Sequence, residues 1–140
     1  VAAPFAAERH ERTLRAWSSG REDLYRRVAI EIASTSPGAL VAAPEIGTIG
    51  YFHRGPVLDL VGLVSPEAAG RPHASTVGAR RPQWIVGYDT HLDRALLDAG
   101  WFRRAYELRQ RIPVGPGRAL LVFERAPAAS GEERSATGLR

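Results

Sequence analysis

The chain has 140 residues, 44% of them apolar, which is enough for one enclosed core and too apolar for a disordered segment. Its 19 basic and 15 acidic residues leave a net charge of +4, too evenly mixed to mark a nucleic-acid surface, so no nucleic-acid partner is expected. Cysteine is absent, which excludes disulfides, thiolate metal sites and a cysteine nucleophile, and no run of about twenty apolar residues could span a bilayer. Every basic residue is arginine, while lysine and methionine are both missing. Coding bias accounts for that pattern better than selection for phosphate binding does. A chain that starts at Val1 and contains no methionine is expected to be a fragment of a longer polypeptide. The short apolar start quickly meets charge and is not expected to act as a signal peptide.

In chain order, residues 1–20 form a lead-in segment, residues 21–125 a single α/β domain, and residues 126–140 a polar tail expected to be disordered. Between Arg21 and Ser34, the stripe Leu24, Val28 and Ile32, with Tyr25 and Ala29, lies opposite Glu22, Arg26 and Arg27 and predicts an amphipathic helix. Thr35-Ser36-Pro37-Gly38 ends it. The continuous apolar run Ala39–Ala43 suits a strand covered on both faces, and Glu45–Phe52 a short helix led by Pro44. Val57–Val61 predicts a second buried strand. Ser65-Pro66-Glu67 reads as an N-cap followed by proline at the first helical position. A helical turn is expected in Ala74–Arg80, a strand at Trp84–Tyr88, and a helix over His91–Ala99, capped by Thr90 and stopped by Gly100. Tyr106–Pro113 and Ala119–Glu124 flank a Gly-Pro-Gly turn and predict a hairpin. The fold class is therefore α/β: a small three-layer sandwich on a mainly parallel sheet of about five strands, with a C-terminal antiparallel hairpin.

Candidate chemistry centres on Glu45 and Asp59, two carboxylates beside apolar strands, where open α/β sheets bind ligands. They could serve as acid and base, or hold a cation or sugar hydroxyls. The alternative is structural, with Glu45 at a helix N-terminus and Asp59 fixing a turn through backbone N–H groups. Gly47 and Gly50 lack the spacing of a phosphate loop, so close helix packing is their expected role. His10, His53, His73 and His91 are scattered and form no zinc pattern, and no metal or cofactor is expected. Ser65 and Ser75 have no nucleophile context. Trp84, Tyr88, Trp101 and Phe102 could stack on a sugar or fill a core. Arg103, Arg104, Arg109 and Arg111 could face lipid phosphates or simply solvent.

The run Pro44-Glu45-Ile46-Gly47-Thr48-Ile49-Gly50-Tyr51-Phe52, followed by Val57-Leu58-Asp59-Leu60-Val61-Gly62-Leu63-Val64-Ser65-Pro66-Glu67, resembles a segment of bacterial polytopic glycosyltransferases. These are GT-C superfamily members, relatives of the protein mannosyltransferases and lipid A aminoarabinose transferases. The matching positions are Glu45, Gly47, Gly50, Tyr51, Phe52, Asp59, Gly62 and Leu63, with a weaker likeness over residues 21–125. Glu45 stands where relatives often carry Asp. The resemblance implies a soluble domain on the extracytoplasmic side of the cell membrane, following the membrane spans of an enzyme that uses a polyprenyl-phosphate sugar donor. The family's catalytic acid lies in a loop between membrane helices, so no residue of this chain takes that role. The implied role is acceptor recognition or scaffold. Its implied partners are the membrane-embedded remainder of the parent chain and a glycan or lipid-linked sugar. Glu45, Gly47, Gly50, Tyr51, Asp59 and Gly62 are the candidate ligand-binding or structural residues. The competing expectation is a free-standing module that binds a small, sugar-like ligand through Glu45 and Asp59.

Overall fold

A computed structural model describes residue 20 and residues 23–127 of the chain. The lead-in segment, apart from residue 20, and the tail beyond residue 127 lie outside the described residues. Helix α1 covers residues 23–35, and its apolar stripe is buried at Tyr25, Val28, Ala29 and Ile32, with Leu24 half-buried. Then come β1 (Val41–Ala43), α2 (Gly47–His53), β2 (Val57–Asp59), a 3-10 turn (Pro66–Ala68), α3 (His73–Arg80) and β3 (Trp84–Tyr88). Two short helices, α4 (Arg94–Asp98) and α5 (Gly100–Ala105), lead into β4 (Tyr106–Gly115) and β5 (Arg118–Arg125).

The five strands form one sheet in the order β2-β1-β3-β5-β4. β1 is parallel to both β2 and β3, whereas β5 is antiparallel to β3 and to β4. α1 and α2 cover one face, where Val28, Ile32 and Ile49 pack on Val41, Trp84 and Val86. α3, α4 and α5 cover the other, where Val77, Leu96 and Phe102 pack on Leu58, Ile85 and Leu121. β1 and β3 are buried at every residue, which explains why these strands read as unbroken apolar runs. The expected three-layer α/β sandwich is therefore the observed one.

Several boundaries shift, each for a local reason. α2 starts at Gly47, and Pro44, Glu45 and Ile46 form the connection out of β1. β2 ends at Asp59, because the backbone there turns into a tight loop. The 3-10 turn has no side-chain cap, since the Ser65 hydroxyl is engaged by the Asp59 N–H at 3.0 Å. Thr90 does not start a helix. α4 begins after Asp93, whose carboxylate accepts the His73 N–H at 2.8 Å while the Asp93 N–H is donated to His73 Nδ1 at 3.2 Å. The two bonds, one from the His73 backbone N–H and one to its ring Nδ1, clamp the starts of α3 and α4 together. Gly100 opens α5, the break being the extended Ala99 (φ −65°, ψ 126°).

β4 is an edge strand. It carries Glu107, Arg109 and Arg111 outward, contains Pro113, and has register irregularities at Leu108/Gln110 and Pro113/Gly115. Charge, proline and bulges all discourage edge-to-edge pairing with another sheet.

Candidate functional site

The order β2-β1-β3 creates a point where chain direction reverses across the sheet. After β1 the chain crosses to β2 through α2 on one face, and after β2 it returns past β1 to β3 through α3 on the other. Two crossovers of the same hand running in opposite directions must take opposite faces. The connections that leave β1 and β3 therefore take opposite faces beyond the carboxyl ends of these strands, the switch point at which such sheets usually carry a ligand crevice.

Residues from both connections meet there. His91 Nδ1, after β3, lies 3.1 Å from Oε1 of Glu45, after β1, and both side chains are about one-third exposed. The pair is ionic when the imidazole is protonated. The His91 ring also stands edge-on to Tyr88, with centroids 5.7 Å apart, and Tyr88 in turn stands edge-on to Tyr25 at 5.6 Å. Asp89 Oδ2 accepts the Ala119 N–H at 3.2 Å, which ties the end of β3 to the start of β5. Asp89 Oδ1 and Arg118 Nε are buried with no hydrogen-bond partner among the described residues. The Arg118 guanidinium lies 5.8 Å from the Tyr88 ring centroid, in cation–π range. A carboxylate–imidazole pair, an arginine and a second carboxylate thus share one end of the sheet, a set suited to hydroxyl-rich ligands.

Asp59 has a different task. It is 1% exposed, and its Oδ1 and Oδ2 accept the N–H groups of Val61 (2.9 Å) and Val64 (3.0 Å). Its own N–H goes to Ser65 Oγ, and its carbonyl accepts the Gly62 N–H at 3.2 Å. One residue therefore satisfies both ends of the 60–65 loop, which explains a charged residue at the end of an apolar strand. Gly62 has φ +87°, and a Cβ there would overlap the backbone of Ala69, so only glycine fits this loop. Leu60 points into the core, while Val61, Leu63 (86% exposed) and Val64 (66% exposed) face outward. The outcome is a rigid loop that displays apolar side chains.

The remaining candidates lie on α2. A Cβ on Gly47 would meet nothing, and one on Gly50 would meet Val57 Cγ2 at an ordinary 3.7 Å. The close helix packing expected of these two glycines is therefore not present. Tyr51 is 75% exposed and touches Phe52 edge-on. Gly62 joins Asp59 in one loop, and Glu45 joins His91 at the crevice. Trp84, Tyr88 and Phe102 are buried core residues, and only Trp101 of the four aromatics is exposed. Sequence reasoning gave His91 no partner and passed over Asp89 and Arg118. The Asp89-Thr90-His91 polar cluster directly after a buried strand was the available signal.

Among the described residues there is no group of three side chains able to hold a metal ion, and no helix is long and apolar enough to cross a membrane. Residues 12–132 match the family described as Domain of unknown function (DUF8728). The chain belongs to that family. No curated protein and no solved structure matches it.

Proposed function

We propose that this DUF8728 domain is the non-catalytic, extracytoplasmic part of a membrane glycosyltransferase that uses a polyprenyl-phosphate sugar donor, and that it contributes acceptor recognition or a scaffold. The observation that supports this reading is the Asp59-braced loop. A buried carboxylate is committed to holding the loop that turns Val61, Leu63 and Val64 outward, at the same end of the sheet as the Glu45–His91 pair. Exposed apolar side chains on a rigid loop favour contact with another surface. The membrane-embedded remainder of the parent chain is the surface that the sequence resemblance supplies. The crevice provides hydroxyl-binding groups for a glycan.

Two measurements test this. The reading frame upstream of Val1 should encode a series of membrane-spanning helices with an acid in the first outer loop, and a soluble upstream region overturns the proposal. In the full-length protein, Leu63→Ser with Val64→Ser should leave the domain's unfolding midpoint unchanged but lower sugar transfer at least threefold. Unchanged transfer counts against the loop.

A free-standing sugar-binding module is the second reading, favoured by the part-exposed Glu45–His91 pair at the carboxyl ends of β1 and β3. Asp59 enters it as a brace rather than a ligand. Saturable sugar binding by the 140-residue chain, lost in Glu45→Gln, would support it over the first.

A further inference from the structure

The opposite end of the sheet carries an open depression of about 770 Å³ between α5, the end of α3 and the hairpin. Four arginines line it: Arg81, Arg104, Arg109 and Arg125, together with Gln83 and Glu124. Only Arg109 is neutralised locally, by Glu124 at 2.7 Å and Glu107 at 3.0 Å. Arg125 is fixed by neutral groups, its guanidinium donating to the Arg81 carbonyl at 2.6 Å and to Gln83 Oε1 at 3.3 Å. Among the described residues Arg81, Arg104 and Arg125 form no ion pair with a carboxylate. Arg81 is held in the left-handed region (φ 45°) as the last cap of α3, its N–H bonded to the Val77 carbonyl at 2.8 Å. The fields of Arg125 and Arg81 converge on the neighbouring Tyr106, where both oppose the upward shift that burial gives its hydroxyl.

Three arginines that form no ion pair with a carboxylate among the described residues thus line one depression, and the guanidinium of one, Arg125, is fixed by the Arg81 carbonyl and Gln83 rather than by an acid. Planar guanidinium forks bind tetrahedral oxyanions bidentately, and several together fit one compact anion better than an extended polyanion track. We propose that this depression is a binding site for a phosphoryl group, carried either by a soluble phosphate compound or by a phospholipid headgroup. The site is separate from the crevice at the carboxyl ends of the strands, and it stands whether or not the parent protein transfers sugars.

The test is titration of the 140-residue chain with inorganic pyrophosphate, followed by sedimentation with vesicles of phosphatidylcholine containing phosphatidic acid. Wild type should bind saturably. Arg81→Gln with Arg104→Gln should weaken binding at least tenfold at an unchanged unfolding midpoint. Arg104→Gln alone, at an exposed position of α5, should weaken it by a smaller factor. Arg71→Gln, exposed and outside the depression, should leave it intact. Pyrophosphate binding without vesicle binding assigns the site to a soluble ligand. Vesicle binding that pyrophosphate competes away assigns it to a headgroup. Absence of both, or binding that the double substitution leaves unchanged, overturns the proposal.

Discussion

The parallel half of the sheet and the antiparallel hairpin solve the same problem, an ordered strand with satisfied ends, in opposite ways. β1 and β2 are three residues each and have no turn joining them directly. Their ends are fixed by specific side chains: Asp59 for the loop after β2, and the Glu45–His91 contact between the connections after β1 and β3. β4 and β5 run for ten and eight residues, pair along most of that length with two irregularities, and are closed by a two-residue turn. The hairpin's order is spread over many backbone bonds, so the side chains of β4 are free to be charged and exposed, while Ala119, Leu120, Leu121 and Val122 of β5 join the core. Concentrating order in a few polar groups, above all the buried Asp59, makes the parallel half sensitive to single substitutions. Distributing it makes the hairpin tolerant.

The largest expected effect breaks the comparison where it is sharpest. Asp59→Ala strands two loop N–H groups and should cost roughly 3 kcal/mol, given about 1.5–3 kcal/mol for each hydrogen bond to a charged group and some recovery by water. Glu124→Ala removes the corresponding hairpin anchor of Arg109, a partly exposed ion pair, and should cost under about 1 kcal/mol. Denaturant unfolding of both variants measures the contrast, and equal losses would refute it.

A second pair sharpens it. Gly62 and Gly117 both have left-handed φ, +87° and +68°, but only Gly62 faces backbone that a Cβ would strike. Gly62→Ala should therefore cost at least about 2 kcal/mol, and Gly117→Ala roughly 1 kcal/mol of conformational strain alone. Similar shifts in melting temperature would mean that the 60–65 loop relaxes more easily than its packing implies.

The smallest effect concerns the junction where α5 enters the hairpin. The Tyr106 hydroxyl donates to the Pro82 carbonyl at 2.8 Å, and its pKa is raised above the ordinary 10.0 by burial, against the lowering fields of Arg125 and Arg81. Above pH 10 the unfolded chain ionises its tyrosine while the folded chain still holds the proton, so stability falls as pH rises. Tyr106→Phe should lose about 1 kcal/mol at neutral pH through the missing hydrogen bond. It should also flatten the alkaline decline. A variant whose stability falls between pH 10 and pH 11 as steeply as wild type would exclude this tyrosine as the source.

Legibility followed the range of the interactions. The stripe of Tyr25, Val28, Ala29 and Ile32 and the run Trp84–Tyr88 were readable because periodicity and burial are properties of one segment. Helix limits were less so: α4 starts at Arg94 rather than after Thr90, because Asp93 bonds to His73, twenty residues away in sequence. The glycines show the same divide. Gly47 and Gly50 looked structural by spacing yet have room for a side chain, whereas the need for glycine at Gly62 comes from Ala69 folding back across it.

By itself, the sequence determined the three-layer α/β class, the order of the five strands and the hairpin, since each rests on local apolar pattern and turn chemistry, but it did not show α5, which Gly100 opens where a helix stop was expected. It also marked Asp59 as anomalous, a charge in a buried strand. Only the tertiary structure decided what that charge does. It likewise brought Glu45 to His91 across the switch in strand order, and assembled Arg81, Arg104 and Arg125, which belong to three separate elements, around one depression. The physical reason is that electrostatic and hydrogen-bond partners are chosen by distance in space. That distance is set by which crossover takes which face of the sheet, a property no single segment contains.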